Sequence, residues 1–220
     1  MENLKAISSD HTSLTTEVFR ELEKAILDGR FSAGDSLTEL KISKQLGVSR
    51  TPVREALRQL ELEGFVKYVP NKGAIVIGIS KKDIQDIYEI RMVLEALAVR
   101  WAAENITDEE LDQLKDVVEL QEFYAKKGDT IQVWQLDSKF HDIIFTSSRS
   151  KPLMNTLSNF HHYIQKAREL SIKAMGRAES VSGEHRKIYE ALKNHDAENA
   201  AELAKAHVLA AMENFLNSYK

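Results

Sequence analysis

The sequence predicts a mainly α-helical chain of two domains: three helices with a two-stranded wing, followed by an antiparallel six-helix bundle. Two observations predict this fold. Apolar residues recur at helical spacing along most of the chain, whereas only residues 65–69 and 74–77 have the character of short strands. At 220 residues, the chain is also long enough for two domains that each bury a core. We place the domains at 1–78 and 79–220.

The first domain begins with helices that end at recognisable positions. Gly29 and Gly64 follow helical patterns and favour helix ends, and Gly47 supplies a tight corner between two helices. The two short strands are joined by a turn at residues 70–73 that contains proline, asparagine and glycine. Three helices and a hairpin in this order are typical of a winged helix-turn-helix. The predicted helices are 14–28, 38–46 and 50–63.

The second domain has helical character throughout. Thr107 and Glu110 have the spacing of a capping box, Gly128 favours a helix end, and Asp196 is a good N-cap. This pattern is typical of a helical bundle. The predicted helices are 81–104, 108–127, 130–148, 152–175, 182–194 and 197–218.

Composition excludes several classes of protein and site. The sequence contains no cysteine, which removes disulfides and thiolate sites, so a metal ion would need histidine and carboxylate ligands. We find neither an apolar run of membrane-spanning length nor a signal-peptide pattern, and we expect a cytoplasmic protein. The net charge is −4, yet residues 41–72 contain seven basic and three acidic residues, a local charge of +4. This segment is the candidate surface for an anionic partner.

The third predicted helix combines an apolar side with a row of arginines. Pro52 fits its first turn, and Arg50, Arg54 and Arg58 recur at every fourth residue. Arginine can bond both acceptors of a guanine or grip a phosphate, and the start of such a helix is the part that enters the major groove. Alternatively, the arginines are a solvated helix face that pairs with Glu55. Together with the turn, the wing and the local charge, the row favours binding to double-stranded DNA through Arg50 and Arg54.

Histidines in the second domain stand on apolar helix faces. Asp137 and His141 are four residues apart on one predicted helix, His185 precedes apolar residues at helical spacing, and His207 lies among alanines. Three imidazoles and a carboxylate can bind a divalent transition metal. The alternatives are hydrogen-bonded core histidines and a surface Asp–His ion pair.

An arginine on an apolar helix face is the remaining anomaly. Arg91 lies near the edge of the apolar arc of its helix, where a charge needs a partner. It either forms a salt bridge with Glu95 or points into a cavity, where it would hold the carboxylate of an effector. Arg168 is a weaker candidate of the same kind, and His161 is the other histidine that could line the cavity.

The chain resembles the GntR superfamily of bacterial transcription regulators, in the FadR-like branch with an all-helical FCD-type effector domain. The residues that resemble the family are GVSRTPVREAL at 47–57, EGFV at 63–66, NKGA at 71–74, Arg91, Leu94, Glu95, Asp137, Phe140, His141, Glu184, His185, Ile188, Ala191 and His207. Leu40 departs from the arginine that some FadR-like proteins have at this place, which bears on the base contacts and the operator sequence.

The resemblance implies further roles. Ser49 and Thr51 would contact phosphates, and Lys72 with Gly73 at the wing tip would approach the minor groove. Asp137, His141, His185 and His207 occupy the ligand positions of the metal-binding FCD branch, for which Zn²⁺ is the first choice and Ni²⁺, Mn²⁺ or Fe²⁺ are alternatives. The resemblance also favours a position of Arg91 in the cavity, where it would bind an organic acid effector.

The functional hypothesis is a ligand-responsive repressor that binds a two-fold symmetric operator as a homodimer. One alternative is a regulator whose metal is structural or is itself the signal. The other is a metal-dependent hydrolase fused to a DNA-binding domain, although no ligand is paired with a general base in the manner of HExxH.

Overall fold

The computed structural model describes residues 10–70, 72–174 and 176–218. The chain divides into two compact units, Met1–Ser80 and Lys81–Lys220. The first unit contains α1 (Asp10–Leu27), β1 (Ser36–Leu37), α2 (Glu39–Leu46), α3 (Arg50–Leu62), β2 (Val66–Val69) and β3 (Gly73–Val76). This arrangement confirms the predicted winged helix-turn-helix.

The core of the first unit lies between α1 and α3. The apolar side of α3 is fully buried at Val53, Ala56 and Leu60, and α1 packs against it. Gly47 ends α2 in the left-handed conformation, with φ 67°, and so forms the predicted corner. Ser49 stands at the N-cap of α3, although its side chain makes no capping hydrogen bond. The polar side of α3, opposite this core, is exposed.

The wing differs from the prediction by one strand. The two strands of the hairpin pair antiparallel, and β1 adds to the free edge of β3 to give the order β1-β3-β2. A strand of two residues is too short to show an alternating pattern, so the sequence predicted only the hairpin. Gly73 has φ +81°, and a Cβ there would lie 3.0 Å from the carbonyl oxygen of Leu37. Glycine thus allows the hairpin to approach β1 closely.

The second unit is entirely helical in the residues that the structure describes, as predicted. The capping box of Thr107 and Glu110 is present, and Asp196 accepts a hydrogen bond from the backbone of Asn199 at 3.2 Å. The helices are α4 (Lys81–Asn105), α5 (Asp108–Lys126), α6 (Thr130–Ser147), α7 (Lys151–Tyr163), α8 (Gln165–Lys173), α9 (Arg177–Lys193) and α10 (Ala197–Ser218).

The bundle contains one more described helix than the six that were predicted. The predicted helix 152–175 is interrupted at Ile164, which is the C-cap of α7 and the N-cap of α8. Neither glycine nor proline stands at this position, so helical spacing alone predicts a continuous helix. Beyond the interruption, Arg168 on α8 contacts Asp137 on α6.

The core of the second unit is formed mainly by α4, α5, α6, α9 and α10. Phe140, Ile144, Leu192 and Ala204 are among its buried residues, and α4 packs along α10. The same helices place polar side chains at one position inside this core. None of the helices in the part of the chain described by the structure is long and apolar enough to cross a membrane.

Candidate functional site

The residues predicted to contact DNA are at the surface of the first unit. Arg50 and Arg54 are at the start of α3 with side chains 60% and 45% exposed. Ser49 and Thr51 at the same helix end are also exposed, as is Lys72 beside the half-buried Gly73 in the wing. Leu40 on α2 is exposed as well. The row of arginines is thus available to a partner.

An acidic residue of α2 holds two of these arginines. Arg54 donates through Nε and Nη2 to the two carboxylate oxygens of Glu39 at 2.8 and 2.9 Å, and Arg50 Nε lies 3.5 Å from Glu39 Oε2. The hydrogen bond from Arg54 lowers the pKa of Glu39 below its usual range. A bidentate pair fixes the plane of the guanidinium group. Glu39 therefore orients Arg54 before any partner arrives, a role that sequence analysis did not identify.

The alternative of a solvated helix face applies to Arg58. Its Nη1 lies 3.1 Å from Glu55 Oε1 one turn earlier, and both side chains are exposed. Exposed pairs of this kind contribute little to stability. Arg50 and Arg54 instead pair across helices, which distinguishes them from Arg58.

In the second unit, four predicted ligand residues come together inside the bundle. Asp137 and His141 on α6, His185 on α9 and His207 on α10 are all buried, and one ligand atom from each lies within 4.8 Å of the others. The four buried polar side chains thus meet inside the bundle. The donor set of three imidazoles and one carboxylate suits Zn²⁺ or a related divalent ion.

Each of the three imidazoles uses its Nδ1 atom to contact a side-chain oxygen. His185 Nδ1 lies 2.7 Å from Gln121 Oε1, and His207 Nδ1 lies 2.7 Å from Glu184 Oε2. His141 Nδ1 lies 3.3 Å from Glu95 Oε2. These oxygens only accept hydrogen bonds, so Nδ1 is the protonated nitrogen and Nε2 keeps its lone pair. The structure thereby sets all three rings in the tautomer that binds a metal through Nε2.

The orientation of Gln121 supports this assignment. Its Nε2 donates to the backbone carbonyl of Val133 at 3.2 Å, so its Oε1 must be the atom that faces His185. Gln121 has no exposed surface, and its amide is the only polar contact of His185 Nδ1 among the described residues. Sequence analysis missed Gln121, whose one available indication is a polar residue on the buried face of α5.

Two of the three Nε2 atoms, those of His141 and His185, face the carboxylate of Asp137 at distances that suit a shared cation. His185 Nε2 is 3.6 Å and His141 Nε2 is 3.8 Å from Asp137 Oδ1, and His185 Nε2 is buried without a hydrogen-bond partner. Two lone pairs that face a carboxylate repel it unless a cation lies between them. Ligand bonds of ~2.1 Å at tetrahedral angles place ligand atoms ~3.4 Å apart. The residues present therefore fit a divalent metal ion.

Protonation states are also those that metal binding requires. Burial lowers the pKa of His185 and His141 below that of a free imidazole, well below in the case of His185. Burial would raise the pKa of Asp137, but the charge of Arg168 outweighs this effect and holds the pKa well below its usual range. Neutral imidazoles and an ionised carboxylate are the metal-binding forms.

The structure shows Arg91 in both of the situations considered for it. Its Nε donates to Glu95 Oε1 at 2.7 Å inside the protein, where both side chains are buried. Its side chain also lines a small cavity beside the four ligand residues, and its Nη1 is buried without a hydrogen-bond partner. The salt bridge and the position at the cavity are therefore compatible.

Arg168 and His161 also lie near the ligand residues. Arg168 Nη2 donates to Asp137 Oδ2 at 2.6 Å, and His161 Nε2 lies 3.0 Å from Glu95 Oε1. Glu95 thereby contacts His141 and His161 together, and these three residues form a second group of close ligand atoms. His195 is separate from both groups, because its Nδ1 donates to the carbonyl of Ala103 at 2.7 Å.

The cavity beside the ligand residues is narrow. The space open to the centre of a water molecule is about 20 Å³, which is enough for one or two waters. A third arginine, Arg177 at the start of α9, lines it and was not identified from sequence. The complete lining is Arg91, Asp137, His141, Arg168, Ser171, Ile172, Arg177, Val181, His207 and Ala211.

Two family profiles match separate parts of the chain. The FCD domain profile matches residues 86–210, and the profile of bacterial regulatory proteins of the gntR family matches residues 14–76. The chain is 34% identical over 195 residues to the uncharacterized HTH-type transcriptional regulator YdhC of Bacillus subtilis strain 168, covering 88% of this chain and 85% of that protein.

A named repressor and a solved structure are also similar. The HTH-type transcriptional repressor RspR of Escherichia coli K12 is 25% identical over 192 residues, which is 87% of this chain and 84% of that protein. The solved structure of E. coli McbR/YncC has a TM-score of 0.73 at 24% identity and covers 98% of this chain and 100% of that chain. At this identity, the structural match supports the fold alone.

Proposed function

Since the chain belongs to the GntR family of bacterial regulatory proteins and contains an FCD domain, we propose that this transcription regulator is a metal-dependent repressor released from DNA by an organic acid. Family membership makes it a regulator and not an enzyme, so the hydrolase hypothesis is wrong. The proposal has three parts: how DNA is read, how a metal ion is held, and how an acid is recognised.

In the first part, the start of α3 enters the major groove. Arg50 and Arg54 are the base-contacting residues, and Glu39 holds the Arg54 guanidinium in a fixed plane. Ser49 and Thr51 would donate to phosphates, while Lys72 and Gly73 would approach the minor groove from the wing. The assignment is supported by their exposure together on the basic segment of the chain.

A homodimer on a two-fold symmetric operator is part of the proposal. One helix contacts only a few base pairs, so two related half-sites supply the affinity and selectivity that a regulator needs. In such a dimer, an acid that binds the helical unit would bias it between two arrangements and change the spacing of the two DNA-binding units. The repressor role is supported by the similarity to RspR, which is described as a repressor.

In the second part, Asp137, His141, His185 and His207 hold a divalent transition metal, with Zn²⁺ as the first choice. The observation that carries this part is the shared arrangement of the three imidazoles, whose Nδ1 atoms are all occupied and whose Nε2 atoms are left for the ion. Ni²⁺, Mn²⁺ and Fe²⁺ suit the same donors. When bound, the ion would supply a Lewis-acidic position for an acid oxygen.

In the third part, Arg91 binds the carboxylate of the acid. Glu95 fixes the Arg91 guanidinium through Nε, and the buried Nη1 keeps a proton that has no acceptor among the described residues. Such a donor gains a charge-assisted hydrogen bond when a carboxylate enters the cavity. Because the cavity is narrow, the acid must be small or must displace the side chains that line it.

Metal analysis tests the second part. We expect the purified protein to contain about one equivalent of a divalent transition metal, and His185→Gln to lose most of it because an Nε2 ligand is removed. His195→Asn is the matched control, since His195 contacts only a backbone carbonyl outside the cluster. Equal metal content in all three proteins, or none in the wild type after growth with added Zn²⁺, would contradict the site.

DNA selection tests the first part of the proposal, and a later titration with acids on the same DNA tests the third part. Sequences are first selected from a random duplex library by the wild-type protein. Arg50→Ala and Arg54→Ala should lose selective binding to these sequences, whereas Arg58→Ala should retain it because Arg58 lies further from the start of α3, the end that enters the groove. Retained selectivity in Arg50→Ala and Arg54→Ala would contradict the assignment of α3 as the recognition helix.

The same DNA distinguishes the role of the metal. Propionate, lactate and succinate are added to metal-loaded and metal-stripped protein, and DNA release is followed by fluorescence anisotropy. We expect release only with metal and acid together. Release by the acid without metal would mean that the ion has at most a structural role. Release by the metal alone would mean that the ion itself is the signal.

A further inference from the structure

The cavity beside the proposed metal ligands is lined by three buried arginines from three helices. Arg91 on α4, Arg168 on α8 and Arg177 on α9 are 1%, 7% and 3% exposed. Each guanidinium group contacts one carboxylate: Glu95 for Arg91, Asp137 for Arg168 and Glu184 for Arg177. Among these six described side chains, the three positive and three negative charges balance.

A divalent cation upsets this balance. The inference rests on the proposed metal site, where the ion would add two positive charges to a region that is shielded from water while the imidazoles remain neutral. An uncompensated charge in such a region is costly. Two negative charges on a ligand would restore neutrality, whereas a monocarboxylate would leave one positive charge uncompensated.

Two hydrogen-bond donors in the same cavity lining lack acceptors. Arg91 Nη1 and Arg177 Nε are both buried with no partner among the described residues, although the other two nitrogens of each guanidinium group contact a carboxylate. Buried guanidinium donors are normally satisfied by protein, water or ligand. The two donors belong to different helices, α4 and α9, and both side chains line the same cavity.

Arg177 is held in place by a chain of contacts that reaches the proposed metal. It donates through Nη1 and Nη2 to Glu184, and Glu184 Oε2 lies 2.7 Å from His207 Nδ1. The same carboxylate thus fixes an arginine and a metal-ligating imidazole. A ligand group on Arg177 would therefore lie near the ion as well.

We propose that the effector is a compact dianion with two acidic groups, one of which binds Arg91 and the other Arg177. A short dicarboxylate has this chemistry. The narrow cavity favours a short chain, because a longer one would have to displace more of the lining. Arg177 is then a specificity-determining residue for the second acidic group.

Matched acids test the proposal on the wild-type protein. Binding of malonate, succinate, propionate and butyrate to Zn²⁺-loaded protein is measured by calorimetry and by the shift in unfolding temperature. We expect each dicarboxylate to bind at least 10-fold more tightly than the monocarboxylate of equal chain length. Equal affinities would overturn the proposal. Inorganic phosphate that binds as tightly as the dicarboxylates would also overturn it, because both charges of its dianion lie on one group.

Variants of arginines on α9 test where the second acidic group of the ligand binds. Arg177→Gln should reduce the preference for dicarboxylates to about 2-fold or less, while propionate binding changes little. Arg186→Gln is the matched control on the same helix, because Arg186 pairs with Glu122 outside the cavity, and it should keep the full preference. An unchanged preference in Arg177→Gln would overturn the role of Arg177. If that variant fails to fold, Arg177→Lys retains the charge and should reduce the preference to an intermediate value.

Metal content separates this inference from the proposed function. Each protein is analysed for bound Zn²⁺ before acids are added. Protein that binds Zn²⁺ and monocarboxylates without preferring dicarboxylates contradicts only the dianion proposal. Protein that binds no Zn²⁺, or no carboxylate at all, contradicts the proposed function on which the inference rests.

Discussion

Replacing Gln121 with leucine should weaken metal binding without removing any metal ligand. The Gln121 amide holds His185 Nδ1 at 2.7 Å and is itself held by the Val133 carbonyl. Leucine has a similar volume but no acceptor, so the imidazole loses its tautomeric preference and its orientation. Partners of this kind typically change metal affinity by ~10- to 100-fold, or ~1.4–2.8 kcal/mol.

The protein without metal should also lose stability. Leucine leaves the buried Nδ1–H of His185 without an acceptor, and an unsatisfied buried donor costs ~1–3 kcal/mol. The Val133 carbonyl lies within α6, where the helix supplies another donor, so it adds little to this cost. We therefore expect the free energy of unfolding in EDTA to fall by ~1–3 kcal/mol.

Two measurements test these expectations. Zn²⁺ affinity is obtained by competition with a chromophoric chelator, and stability is obtained from urea unfolding in EDTA. Gln113→Leu on the exposed side of the same helix is the control and should change neither value appreciably. If Gln121→Leu binds Zn²⁺ as tightly as the wild type, the proposed fixing of the His185 tautomer is refuted.

Three further predictions concern the DNA-binding unit and pH. Glu39→Gln frees Arg50 and Arg54, so binding to random-sequence DNA should tighten while the ratio of specific to non-specific affinity falls. The control Glu55→Gln should preserve that ratio in the same anisotropy assay. Burial lowers the pKa of His185, so below pH ~6.5 the folded protein binds fewer protons than the unfolded chain. The free energy of unfolding should therefore decline as pH falls through that value, by up to ~1.4 kcal/mol per pH unit for this group. Equal urea midpoints at pH 7.5 and 5.5 in EDTA would contradict this expectation. Gly73→Ala should cost ~1 kcal/mol or more in stability and weaken DNA binding, because it combines positive φ with a close backbone contact; Gly78→Ala, with positive φ in open space, should cost less in thermal unfolding.

Local chemistry was sufficient for most of the fold. Apolar spacing identified the helices, and capping residues such as Thr107 and turn residues such as Gly47 marked their ends, because these preferences act between neighbours in the chain. The third strand of the sheet and the break at Ile164 escaped prediction. Pairing with β3 stabilises β1, and no local residue type interrupts the helix at Ile164.

Sequence by itself also nominated Arg50, Arg54, Asp137, His141, His185 and His207 through their residue types and spacing. Spacing relates side chains on one helix, so it could pair Asp137 with His141 but could not derive their approach to residues on α9 and α10. Only the tertiary structure brought those side chains within 4.8 Å of one another. It also decided the partners of these residues, since Glu39, Gln121 and Arg177 act through contacts between helices, where distance along the chain carries no information about distance in space.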